Sequence, residues 1–98
     1  MRPLTDDLRQ SHLRPYFLWD EDVSIAELKA RLSGGEPRER LRLLAKLLRE
    51  ARDIDAWEFV SPQEVATALP ALRHRLGRRR RCWEFLIEGW RQDGLLGR

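Results

Sequence analysis

The fold that the sequence predicts depends most on residues 37–52, which read PRERLRLLAKLLREAR. Proline is favoured in the first turn of a helix, and neither glycine nor a second proline interrupts the stretch. Projected at about 100° per residue, its apolar side chains cover an arc of roughly 200°, twice the width that a surface helix needs. The stretch therefore predicts a central helix that neighbours contact on two sides, through Leu41, Leu43, Leu44, Leu47, Leu48 and Ala51.

Helix signals precede and follow this stretch. Ser24 and Glu27 form a capping box at the start of a short helix, which the glycines at 34–35 end. On the other side, Asp53 is placed to cap a third short helix that contains Trp57. Because that helix has only six or seven residues, we expect it to depend on packing against its neighbours.

Two more helices are predicted in the second half of the chain. Ser61 and Glu64 form a second capping box, and we expect Pro70 to end or kink that fourth helix. A fifth helix is predicted from about Arg79 to Gln92, with a glycine at position 94 to cap its end. Its apolar residues span a wide arc, which predicts burial of Cys82, Trp83, Phe85, Leu86, Ile87 and Trp90.

The first 22 residues have a different character. Pro15 precedes four large apolar residues, 16–19, and three acidic residues follow at once. We expect an extended N-terminal arm over residues 1–22 that lays its aromatic side chains on the helices. The predicted fold is therefore all-α: one domain, residues 1–98, in which a compact bundle of four to five short helices over 23–94 carries this arm.

Composition excludes several classes of protein. The 98 residues are 42% hydrophobic and 36% charged, and no apolar run approaches the roughly 20 residues that a membrane helix needs. The N-terminal MRPLTDDLRQ has two acids where a signal peptide is apolar, so we expect a cytoplasmic protein without a membrane partner. One cysteine and two histidines cannot form an internal disulfide or a zinc site, and we expect no metal and no cofactor.

The positive charge is concentrated near the C-terminus. Residues 71–98 contain eight basic and three acidic side chains, and Arg78, Arg79, Arg80 and Arg81 lie where the fifth helix begins. The free N–H groups of a helix start favour negative charge, so four cations there point to a bound anion, either phosphate or an acidic protein surface. A solvated charge run paired with Glu84 and Glu88 is the alternative.

Aromatic residues mark a second candidate site. Trp57, Trp83 and Trp90 are expected in the core, because each can bury a large area. On the arm, the aromatic cluster is followed by acidic residues, and this combination fits two roles equally well: a lid on the protein's own core, or a contact surface for a protein partner. The residues assigned to this partner-binding site are Tyr16, Phe17, Trp19, Asp20 and Asp22.

A catalytic site is a minor alternative. The pairs Asp20 with Asp22 and Asp53 with Asp55 could act as metal ligands, but helix capping accounts better for the second pair. The sequence offers no Ser-His-Asp set, no Cys-His pair and no phosphate-binding glycine loop. We therefore expect that the protein is not an enzyme.

The aromatic landmarks resemble those of a known family. The chain is similar to short helical bacterial proteins encoded beside AbiEii-type nucleotidyltransferase toxins. The residues that carry the similarity are Pro15 to Asp20, then Ala51-Arg52 with Asp55-Ala56-Trp57, then Arg79 with Trp83-Glu84-Phe85 and Trp90. The similarity covers about residues 15–90. It implies an antitoxin or accessory protein that binds a nucleotidyltransferase-type toxin in bacterial defence. The alternative is a small nucleic-acid-binding regulator that uses the arginine run.

Overall fold

The structure is a computed structural model that describes residues 1–96, and most of these residues are helical. Two short 3₁₀ turns, Arg73–Arg75 and Gly77–Arg79, connect the last two α-helices. A two-stranded parallel sheet precedes the helices, so the prediction of an all-α fold is correct only for the larger part of the chain. In chain order the elements are β1 (Leu4–Thr5), β2 (Arg14–Pro15), α1 (Ile25–Gly34), α2 (Pro37–Glu50), α3 (Asp53–Ala56), α4 (Pro62–Leu72) and α5 (Arg80–Gln92).

The central position of α2 is confirmed. This helix contacts α1, α3, α4 and the second 3₁₀ turn, and Leu43, Leu47 and Leu48 on it are fully buried. A side chain of α5 stabilises the C-terminal end of α2: the indole Nε1–H of Trp83 donates to the carbonyl oxygen of Leu48 at 2.7 Å. That carbonyl belongs to the last turn of α2, where no helical N–H remains to bond it.

The predicted starts of α1 and α4 are confirmed, whereas α3 differs from its prediction: its N-cap is Arg52 instead of Asp53, and it ends at Ala56, before Trp57. Ser24 Oγ accepts the N–H of Glu27, and Ser61 forms a complete capping box with Glu64. Pro70 does not end the helix, because α4 continues past it to Leu72. Proline inside a helix cannot donate a backbone hydrogen bond, which costs free energy. The full burial of Leu72 offsets part of that cost.

Residues 1–22 do not form an extended arm, which corrects the prediction. β1 pairs in parallel with β2, in the register Leu4 with Arg14 and Thr5 with Pro15. Further on, the N–H groups of Ile25 and Ala26 donate to the carbonyls of Leu13 and Ser11, so the segment is tied to the start of α1. The sequence missed this arrangement because strands of two residues have no detectable periodicity.

The prediction for α5 is correct on one face and wrong on the other. Trp83 and Ile87 are buried, and Trp57 packs against both Trp83 and Trp90 with ring centroids 5.6 and 5.4 Å away. Phe85, by contrast, is 78% exposed, and Cys82 is exposed as well. Within the described part of the chain, no helix has the length and apolar character needed to cross a membrane.

Candidate functional site

The predicted partner-binding residues lie between β2 and α1, and the structure separates them. Phe17 is only 2% exposed and packs edge-on against Tyr16 and Phe59, with ring centroids 5.3 and 5.6 Å away. Leu18 beside it is fully buried. The assignment of Phe17 to a partner surface is therefore wrong, because its ring is part of the core.

Tyr16 is also engaged within the chain. Its hydroxyl donates to a carboxylate oxygen of Asp55 and accepts the backbone N–H of Arg52 at 2.9 Å. The Arg52 guanidinium lies 5.0 Å from the ring centroid. Burial and the neighbouring Asp55 carboxylate together raise the pKa of the Tyr16 hydroxyl. Tyr16 thus links the N-terminal segment to the start of α3, and it is not a free anchor.

The acidic residues that follow are all ion-paired. Glu21 accepts two hydrogen bonds from the Arg42 guanidinium, at 2.9 and 2.7 Å, and one from Lys46 at 2.9 Å. These contacts lower the pKa of the Glu21 carboxyl to about 2. Asp20 pairs with Lys46 and Asp22 pairs with Arg2, which lowers the pKa of both carboxyls as well. All three carboxylates therefore have a cationic partner within the chain.

Trp19 differs from the other two aromatics because it faces solvent. Its side chain is 62% exposed, and the ammonium group of Lys46 lies 6.0 Å from its ring centroid. Since the preceding two residues are buried, the indole projects from a segment that the core holds in place. Trp19 is thus the predicted aromatic anchor that remains available to a partner.

Arg14 holds this segment in shape, and the sequence analysis missed it. Its guanidinium is buried and donates to the carbonyl oxygens of Leu18 and Trp19 at 3.2 Å, and of Glu21 at 3.3 Å. It also donates to the carbonyl of Arg2. The sequence signal for this role was an arginine placed directly before a proline and an apolar run, a position that favours burial. A buried guanidinium then needs several hydrogen-bond acceptors, which the nearby carbonyls provide.

The arginine run divides into two pairs. Arg79 donates to the carbonyl oxygen of Ala51 at 2.9 Å, and Arg80 pairs with Glu84 at 3.0 Å. Arg78 and Arg81 are exposed and have no side-chain hydrogen bond or ion pair with any described residue. The N–H groups of Arg79 and Arg80 already bond to carbonyls of the preceding turn, so two donors expected to face an anion are occupied.

A basic concavity of about 480 Å³ lies between α2 and the 3₁₀ turns. Arg49 on one wall donates to the carbonyl oxygen of Arg75 at 3.0 Å. Carboxylates neutralise part of the charge on the α2 side, whereas the side chain of Arg75 has no ion pair within residues 1–96. The lining residues, which the sequence analysis did not assign to a site, are Arg42, Ala45, Lys46, Arg49, His74, Arg75 and Gly77.

No metal site is evident in the described chain, where three or more potential ligands do not come together at any point. Asp53 bonds the N–H of Ile54 at 3.0 Å, and Asp55 is held by Tyr16 and Arg52. Both aspartates of that pair therefore have local structural roles.

Comparisons with models of known protein families, with curated proteins and with solved structures found no match for the chain.

Proposed function

We propose that this chain is a non-enzymatic antitoxin or accessory protein that binds a nucleotidyltransferase-type toxin, with Trp19 as its main anchor. The observation that carries the proposal is a 62% exposed tryptophan on a segment that is otherwise fixed in the core. Tryptophan is enriched among the residues that dominate binding energy at protein interfaces. The resemblance of residues 15–20 to the AbiEii-associated proteins supports this choice of partner.

The surroundings of Trp19 favour binding because they are already ordered. Arg14 donates to the carbonyl of Trp19 and to those of Leu18 and Glu21 around it, and Lys46 lies close to the indole ring. A preformed anchor loses less conformational entropy on binding than a mobile one. The ion-paired Asp20 and Asp22 would form part of a polar rim around it, where charges affect the rate of association more than the affinity.

Co-expression with the nucleotidyltransferase encoded next to its gene tests this function. The wild-type chain should co-purify with that enzyme at a fixed stoichiometry and restore the growth that the enzyme alone inhibits. The Trp19→Ala variant should do neither, while an Ile54→Ala variant, altered at another exposed apolar residue, should behave as wild type. Lack of an adjacent nucleotidyltransferase, or full rescue by Trp19→Ala, would contradict the proposal.

A nucleic-acid-binding regulator is the second candidate. It is favoured by Arg78 and Arg81, which are exposed and unpaired among the described residues and follow closely on Arg75 of the basic concavity. Guanidinium groups that bind phosphates release counterions, so affinity for duplex DNA should fall steeply with salt. Replacing Arg78 and Arg81 by alanine should flatten that dependence, whereas replacing Arg38, an exposed arginine on α2, should leave it unchanged.

A further inference from the structure

The outward side of α5 has an unexpected composition. On a helical wheel Phe85 lies opposite the buried Trp83 and Ile87, so its ring is at the centre of the face turned to solvent. A single exposed apolar side chain is ordinary on a protein surface. Here, however, the aromatic ring is followed one turn later, on the same face, by Gly89.

Gly89 has no role that the described chain explains. A Cβ atom built at this position would meet nothing within 4 Å, so no neighbour requires the missing side chain. Glycine in the middle of a helix is destabilising, because it loses more backbone entropy than alanine on folding. What a glycine permits is the close approach of another surface, and no part of residues 1–96 makes that approach.

We propose that the face of α5 formed by Arg81, Phe85, Glu88 and Gly89 binds the same face of a second copy of this chain, with the two helices antiparallel. If the two-fold axis passes beside Phe85, Arg81 of one copy and Gly89 of the other lie at the same height along the helix pair. Helical side chains lean toward the N-terminus of their own helix. Each Phe85 ring would therefore lie over the bare backbone at Gly89 of the second copy.

Charge complementarity selects a second copy in this orientation. Arg81 and Glu88 lie on the same flank of α5, about one turn before and one turn after Phe85. In a two-fold antiparallel pair the same flanks meet, so Arg81 of each copy would lie near Glu88 of the other. Arg81 has no ion pair with any described residue, whereas Glu88 is 57% exposed and contacts only Arg91 and Gln92. In a parallel pair opposite flanks would meet, so Arg81 and Glu88 of one copy would face neither of these residues in the other.

Sedimentation equilibrium of the full chain over a wide concentration range tests the dimer. The wild-type chain should associate reversibly to a dimer, and Phe85→Lys should raise the dissociation constant at least about tenfold. The matched control is Ile54→Lys, which alters a residue that is 72% exposed on α3 and should not change the association. Circular dichroism of each variant verifies that the helices remain.

Exchange of the two charges tests the orientation. Arg81→Glu alone and Glu88→Arg alone should each weaken the dimer, and the double variant should restore it, because both pairs are then reformed with reversed sign. A wild-type chain that stays monomeric at every concentration, or a dimer that Phe85→Lys leaves intact, would overturn the proposal. A double variant no better than the single ones would overturn the antiparallel arrangement.

Discussion

Replacing Glu21 by glutamine should destabilise the protein in a way that depends on pH. The carboxylate is paired with Arg42 and Lys46, its side chain is 20% exposed, and its pKa is held at about 2 instead of 4.5. That difference corresponds to about 3 kcal/mol of folding free energy, an upper value because solvent screens part of it. A carboxyl with a lowered pKa in the folded state stabilises the fold above pH 4.5, and this contribution is lost as the pH falls toward 2.

Urea denaturation followed by circular dichroism, repeated from pH 7 down to pH 2, measures this effect. At pH 7 the free energy of unfolding of the wild type should exceed that of Glu21→Gln by up to about 3 kcal/mol, and this difference should shrink steadily below pH 4.5. Glu58→Gln is the control, since Glu58 is exposed and has no salt bridge within residues 1–96. A difference between wild type and Glu21→Gln that stays constant over the whole range would refute the reasoning.

Three further predictions concern the core and the N-terminal segment. Leu48→Ala should lower the free energy of unfolding by about 2–5 kcal/mol through a cavity beside α2, whereas Leu95→Ala, at a 70% exposed residue, should scarcely change the denaturant midpoint. Trp83→Phe should cost about 1–3 kcal/mol, because the carbonyl of Leu48 loses its indole donor; thermal unfolding measures the loss. Arg14→Met should leave three carbonyls between 18 and 21 without that donor, so hydrogen exchange at the Glu21 amide should accelerate.

The helical part of the fold was predictable because its signals are local. The serine cap at Ser24 and the capping box at Ser61 satisfy free N–H groups within one turn, and the leucine pattern of α2 follows from helical periodicity alone. The continuation of α4 past Pro70 was not predictable locally, because the burial of Leu72 that accompanies it depends on tertiary contacts. The exposure of Phe85 was not predicted, because the apolar residues of α5 span a wider arc of the helix than the arc that the core covers.

The candidate site was predictable only in part. The sequence analysis proposed Trp19 together with Tyr16 and Phe17, since three aromatics within four residues have no feature that separates buried from exposed rings. Their separation depends on Asp55, 39 residues from Tyr16, and on the Arg14 guanidinium that shapes the segment. Contacts across such distances in the chain do not follow from local composition or spacing.

The central claim, that Trp19 anchors a protein partner, is tested most directly by calorimetric titration of the proposed nucleotidyltransferase partner with wild-type chain and with Trp19→Ala. Because the indole is mostly exposed in the free chain, the variant should unfold at the same denaturant concentration as the wild type. It should bind the enzyme more weakly by about 2 kcal/mol or more, which is roughly a thirtyfold loss of affinity. Equal affinity of the two chains for the enzyme, or no binding by the wild type, would contradict the account.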